Sequence, residues 1–344
     1  GYSQTPTISA VGYNSLLTGT WVNKHNVWGN GIRNPNYNYW TVFRMAKIYR
    51  PELKTAIFST WLDNRTKLIG EGLQETSNIK LDYHFDGYEK DTITFPHDDQ
   101  KLYIHKIDEH VVTKAVQCIK EKAPDLSWVY LEYTDDIGHG YGDSEQFYNA
   151  VEIGDKQIGN IWEAIQYRRR HFNEKWQIFI TTDHGRSQKT GKGHGRQSER
   201  ERLTWMVTNA KNLNDYFKLH QPAIVDIMPT MLHTLNINPE KNQLWEIDGM
   251  PLVGKTSLTN AKSVRNGNKL HISWDAIETK GKVKIWVSTE NKFNTGGNDS
   301  YILLDKVAIK KNQMIIDVSQ LPSEFYKIVL EGKYNAVNAW VLEK

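Results

Sequence analysis

Trp176–Gly195, WQIFITTDHGRSQKTGKGHG, is the stretch on which the reading of the chain turns. Trp176, Ile178, Phe179 and Ile180 form a β-favouring apolar run, broken only by Gln177, that passes through Thr181-Thr182 into Asp183-His184-Gly185. The pattern predicts a buried strand whose carboxyl end releases two potential metal ligands side by side. Further on, His194 stands between Gly193 and Gly195, where small neighbours let backbone and ligand approach closely.

A second stretch, Trp128–Gly142, WVYLEYTDDIGHGYG, repeats the arrangement. Trp128, Val129, Tyr130, Leu131 and Tyr133 read as another strand, which ends in Asp135-Asp136 and then Gly138-His139-Gly140. Both strands should therefore deliver Asp and His at one edge of a sheet, and ligands of open α/β sheets bind outside the carboxyl ends of the strands. Imidazole and carboxylate together suit zinc or a similar first-row metal. Any one of these histidines, taken alone, is more often a hydrogen-bonded loop residue; three such motifs, two of them directly after strands, favour a metal site.

In this order, Asp135-x-x-Gly138-His139, Asp183-His184-Gly185 and His194 resemble the metal-binding signature of the alkaline phosphatase superfamily, and within it the type I phosphodiesterases and nucleotide pyrophosphatases. The resemblance implies a nucleophilic Ser or Thr nine residues before a Thr-Gly pair. Ser9, followed by Thr18-Gly19 and then His25, fits that place. It further implies two divalent metal ions, zinc foremost: Asp135, His139 and His194 on one, Asp183 and His184 with the Ser9 oxygen on the other. The implied activity is hydrolysis of phosphodiester or phosphoric anhydride bonds through a serine phospho-enzyme, with a small phosphate ester as substrate and an extracytoplasmic location.

The chain departs from the family pattern twice. The family carries a further metal-binding Asp on a strand upstream of the nucleophile, whereas the first Asp here is Asp63. An N-terminal strand is thus expected to be missing and the second metal site to be weakened. The phosphodiesterase branch also has an Asn three residues after its nucleophile, where this chain has Gly12; Asn14 or Asn30 is the candidate replacement for binding substrate. These departures leave a degenerate or truncated relative acting as a binding protein as the alternative.

Ser9 to Leu17 read as a short helix after a polar, turn-rich opening (Tyr2, Ser3, Gln4, Thr5, Pro6). A serine at a helix start is commonly a cap, and the same positive helix end also stabilises phosphate. A helix is expected through Thr41 to Tyr49 and a parallel strand over Thr55 to Trp61; residues 62–101 lack regular spacing and read as a lid-like insertion. Ser144 to Arg168 have helical spacing, with Ser144 as N-cap, and give the crossover that a parallel sheet requires. Leu203 to Val207 read as a strand and Ile224 to Leu235 as a helix.

From residue 257 the texture becomes short alternating runs separated by Gly, Asn, Asp and Pro, which indicates a small all-β sandwich. With Trp274 early and Tyr326 late it resembles a fibronectin type III-like module, and a spacer or docking role is expected of it. The fold expected is therefore α/β, a mostly parallel sheet flanked by helices (alkaline phosphatase-like) over 1–256, followed by the sandwich over 257–344.

At 344 residues the chain exceeds what one core usually serves. The formal charge of +3, from 43 basic and 40 acidic residues, is too small and scattered to argue for nucleic acid or membrane binding. Arg168-Arg169-Arg170-His171 is the one basic cluster and reads as a helix end. The single cysteine, Cys118, excludes an internal disulfide and a cysteine-based zinc site and falls on an amphipathic helix, where it should be buried. No run is long and apolar enough to span a bilayer, and no signal peptide is recognisable; the opening at Gly1 leaves room for a leader already removed.

Overall fold

The structure is a computed structural model that describes residues 6–342, so most of the polar opening run lies outside the described residues. Its first half is built on three parallel strands. The chain runs through α1 (Ser9–Thr18), α2 (Val22–His25) and α3 (Val42–Tyr49) into β1 (Thr55–Ser59), then β2 (Tyr83–Phe85), α4 (Leu102–Lys122) and β3 (Leu126–Tyr130). β1 lies between β2 and β3, with Ile57 opposite both His84 and Trp128. Side chains alternate across the sheet. Ile57, Leu126, Trp128 and Tyr130 pack with α1, α3 and residues such as Met228, while Ala56, Phe58 and Val129 pack with α4 and the long helix after β3.

Beyond β3 come α5 (Tyr133–Tyr141), α6 (Glu145–Phe172) and β4 (Phe179–Thr181). Ser144 caps α6 by accepting from Phe147 N, as its position suggests. The second half continues with α7 (Glu199–Arg202), β5 (Met206–Thr208), α8 (Asp215–Leu219), α9 (Ile227–Thr234) and α10 (Lys241–Glu246). Cys118 is buried on α4. Among the described residues no helix is long and apolar enough to cross a membrane.

Three expectations need correction. The strand expected to run to Tyr133 and end in Asp135-Asp136 stops at Tyr130, and Asp135 and His139 stand on helix α5. β4 pairs antiparallel with β5 and not with β3, so the two strands feeding the site lie in separate sheets, each with an edge unpaired among the described strands. Residues 62–101, expected to be an irregular lid-like insertion, include regular elements: a six-residue π-helix (Asn64–Ile69) is followed by β2, the edge strand of the parallel sheet.

The sandwich comprises β6 (Leu258–Asn266), β7 (Lys269–Ala276), β8 (Lys282–Ser288), β9 (Ile302–Ala308), β10 (Gln313–Asp317), β11 (Phe325–Glu331) and β12 (Ala336–Leu342). Its sheets have the orders β10-β7-β6 and β12-β11-β8-β9. Trp274 and Tyr326 are buried between them; Trp274 Nε1 donates to Ile309 O at 2.7 Å, and Tyr326 Oη donates to Leu321 O at 2.8 Å, the corner bond familiar in such sandwiches.

This sandwich is not a tethered spacer. Its core continues into Tyr216, Met250 and Leu252. Lys327 of β11, with a side chain 1% exposed, reaches Glu246 at the end of α10 at 2.7 Å and Asp299 at 2.6 Å. Lys24 of α2, equally buried, bonds Asp248 at 2.6 Å, Glu246 O at 2.8 Å and Asn338 of β12 at 2.9 Å. Asp248 N and Gly249 N in turn donate to Gly19 O, at the turn where Gly19 (φ 65°) ends α1. The sandwich thereby braces the helix that carries Ser9.

Candidate active site

Ser9 is the first residue of α1; the N-cap is Ile8 and forms no side-chain cap bond. Ser9 is therefore not spent on capping. Asn30 does that work from outside the helix, its Oδ1 accepting from Ala10 N at 3.0 Å. The Ser9 hydroxyl instead lies 3.4 Å from His184 Nε2.

Gly12 explains how close α1 can come. A Cβ at that position would sit 2.9 Å from Asp183 Cβ and 3.2 Å from Asp183 O, so the family's Asn has no room here and only glycine allows the approach. His25 is fully buried, and its Nδ1 accepts from Val27 N at 3.1 Å, which leaves Nε2 to donate to Ser15 Oγ at 3.0 Å. Burial pushes its pKa down to about 3, so it braces α1 as a neutral ring.

Around Ser9 the structure brings together all five predicted ligands. Asp135, His184 and His194 each present a ligand atom, all within 4.8 Å of one another. His139 Nε2 is 3.2 Å from Asp135 Oδ2 and 3.0 Å from His194 Nε2, and Asp183 Oδ2 is 3.2 Å from His184 Nε2. The rings of His184 and His194 stack with centroids 3.7 Å apart.

Hydrogen bonds fix the tautomers. His194 Nδ1 faces Thr7 O at 2.7 Å and His184 Nδ1 faces Gly185 O at 2.9 Å. A carbonyl only accepts, so each Nδ1 carries the hydrogen and each Nε2 turns a lone pair into the cluster, the form a metal-binding imidazole takes. Asp183 Oδ2 is buried with no hydrogen-bond partner, a costly state that a cation would relieve. The donor set and this orphaned oxygen fit a divalent metal ion.

The electrostatics agree. Burial would raise Asp135, but its hydrogen bond with His139 and the nearby positive charge of Arg186 hold it well below the usual carboxylate range. Burial, helped by Asp135, raises Asp183. His194 is lowered by burial and by His184, while its bond to Asp135 raises His139.

Of the two candidate substrate-binding residues, Asn30 is exposed and stands at the α1 N-terminus beside Ser9. Asn14 is buried and lines a separate small cavity with Tyr37, Tyr39, Trp40 and Arg44. Arg186 escaped the sequence reading: buried, it donates to Asp135 Oδ1 at 2.5 Å and to Lys192 O at 2.9 Å. Its place directly after Asp183-His184-Gly185 was the available signal. Gly138 makes room for it, since a Cβ there would fall 2.4 Å from the guanidinium carbon.

Among solved structures, the chain is similar to human ectonucleotide pyrophosphatase / phosphodiesterase 5, at 12% identity over 74% of this chain and 90% of that one, with a TM-score of 0.42. An inactive form of the murine counterpart in complex with AMP matches at 16% identity over 55% and 49% of the two chains, TM-score 0.33. A Fn3-like protein from Clostridium thermocellum matches at 18% identity over 25% of this chain and 88% of that one, TM-score 0.18. Of other matched structures, the chain spans only 29%, 38% and 26% of their length. No curated protein matches. The profile of the type I phosphodiesterase / nucleotide pyrophosphatase family, however, matches residues 2–243, and the chain belongs to that family.

Proposed function

We propose that this chain is a metal-dependent hydrolase of phosphodiester or phosphoric anhydride bonds that works through a Ser9 phospho-enzyme. The observation that carries the reading is the position of the Ser9 hydroxyl, at the start of a helix and 3.4 Å from an imidazole of the Asp135, His184 and His194 cluster. Asp135, His139 and His194 would hold one divalent ion, and Asp183 and His184 a second, with zinc the metal that suits this donor set. When bound, the metal supplies positive charge that lowers the proton affinity of the Ser9 hydroxyl and neutralises developing oxyanions.

The chain's own residues do the rest. Ser9 Oγ gives up its proton to solvent as it bonds to phosphorus, and the ester or anhydride oxygen departs on the opposite side and takes up a proton from solvent. The positive end of α1 draws the phosphoryl oxygens, and Asn30, whose Oδ1 is engaged by Ala10 N, offers its amide Nδ2 to one of them. Water then cleaves the phosphoserine and restores Ser9. Preorganised charge and position supply the acceleration, as in other phosphoryl transfers. The substrate is a small phosphate ester, and the reaction would take place outside the cytoplasm, as the family resemblance implies.

The test joins elemental analysis of the purified chain to hydrolysis of a nitrophenyl phosphodiester by wild type and Ser9→Ala, with mass spectrometry for a phosphorylated Ser9 peptide. Bound zinc, loss of turnover in Ser9→Ala and unchanged metal content are expected. Turnover indifferent to Ser9 would overturn the covalent mechanism, and a chain that retains no metal and hydrolyses nothing would leave the binding-protein reading in its place.

A further inference from the structure

Helix α5 has nine residues, with Asp135 in its first turn and His139 one turn later. It is a poor helix by itself. Gly138 and Gly140 weaken it, Glu132 at its N-cap forms no side-chain cap bond, and its first N–H groups have no acceptor within the helix. The acceptors come from Asp108 on α4. Oδ2 accepts from Tyr133 N at 2.9 Å and from Glu132 N at 3.1 Å, and Oδ1 accepts from Glu132 N at 3.1 Å. Oδ1 also receives the hydroxyl of Thr60, just beyond β1.

Asp108 is 1% exposed. Burial pushes its carboxyl up to about 7, against the bonds from Thr60, Tyr133 and Glu132, and neighbouring Asp136 raises it further. A position serving packing alone would be filled more stably by an apolar side chain. What this carboxylate does instead is tie the end of β1 to the start of the helix that carries two candidate ligands.

We propose that Asp108 is a positioning residue for the Asp135 and His139 face of α5, fixing where the helix begins so that Asp135 meets His184 and His194. The inference rests on reading that cluster as a metal site. Removing an outer partner that orients a ligand typically weakens metal binding ~10–100-fold.

The experiment uses the full chain as wild type, Asp108→Asn, Asp108→Ser and Thr60→Val, at a temperature where each is folded. Zinc affinity is read by competition with a chromophoric chelator, and hydrogen exchange is followed over residues 132–139. Both Asp108 variants should lose zinc affinity ~10–100-fold and exchange faster in that segment. Thr60→Val, which removes the bond on the β1 side only, should lose stability while keeping wild-type zinc affinity. Unchanged affinity in the Asp108 variants, or an equal loss in Thr60→Val, overturns the proposal. Asp108→Ser serves if Asp108→Asn does not fold; failure of both to fold assigns Asp108 a structural role and also overturns it. If the wild type binds no zinc, the metal reading itself falls, and the exchange comparison decides whether Asp108 holds α5.

Discussion

Replacing Lys327 by Met tests whether the sandwich is part of the catalytic body. Lys327 is 1% exposed, and its ammonium lies 2.7 Å from Glu246 and 2.6 Å from Asp299, themselves 4% and 1% exposed. It also sits 5.0 Å from the ring centre of Trp340. Methionine replaces the aliphatic stem but leaves two buried carboxylates facing each other without their cation. Breaking a buried pair by removing one partner costs about 3–5 kcal/mol. For 344 residues the unfolding entropy near the midpoint is about 0.7 kcal/mol/K. The expected fall in Tm is therefore about 4–7 °C. Thermal melting followed by circular dichroism is the assay, and unfolding should remain a single transition because the core of the sandwich continues into Met250 and Leu252. A loss under about 1 kcal/mol, the range of an exposed pair, or a second transition that melts the sandwich alone, would refute the argument.

Three further outcomes are expected. Gly12→Ala forces a Cβ to within 2.9 Å of Asp183 Cβ and must push α1 back from the ligands; a displacement of about 1 Å can cost ~100-fold in rate, and kcat/KM on a nitrophenyl phosphodiester should fall that far while far-UV dichroism stays near wild type. His25→Ala removes a fully buried ring together with its bonds to Ser15 and Val27 and should destabilise the chain by about 2–4 kcal/mol in urea unfolding. Finally, burial pushes Asp108 up to about 7 and Glu132 up to about 8. The folded state thus holds their protons more tightly than the unfolded chain, whose carboxyls titrate near 4, so the metal-free protein should lose on the order of 1–3 kcal/mol as pH rises from 6.5 to 8. A stability that is flat or rises across that window contradicts the environment assigned to these two groups.

What the sequence disclosed and what it hid follow from the range of the forces involved. Asp183-His184-Gly185 and Gly193-His194-Gly195 were legible because local signals, an apolar run ending in ligands and a histidine flanked by glycines, place them without distant help. The α/β organisation with a following sandwich was legible for the same reason, since periodicity changes near residue 257. Helix α5 was not: Tyr133 extends the apolar run of β3, Gly138 and Gly140 argue against a helix, and the acceptor that starts it belongs to Asp108, 25 residues before Tyr133 in the chain. Nothing beside Lys24 and Lys327 in sequence announces Asp248, Glu246 or Asp299; these partners arrive only when the two halves meet. Gly12 is the sharpest case. Set against the family pattern it reads as a lost substrate ligand, yet in three dimensions it is the residue that lets the Ser9 helix lie against Asp183. A departure from the pattern at this position therefore says more about how closely two elements pack than about whether phosphate can be held, and the N–H at the head of that helix is met by Asn30, arriving from a later loop, whose Oδ1 accepts from Ala10 N.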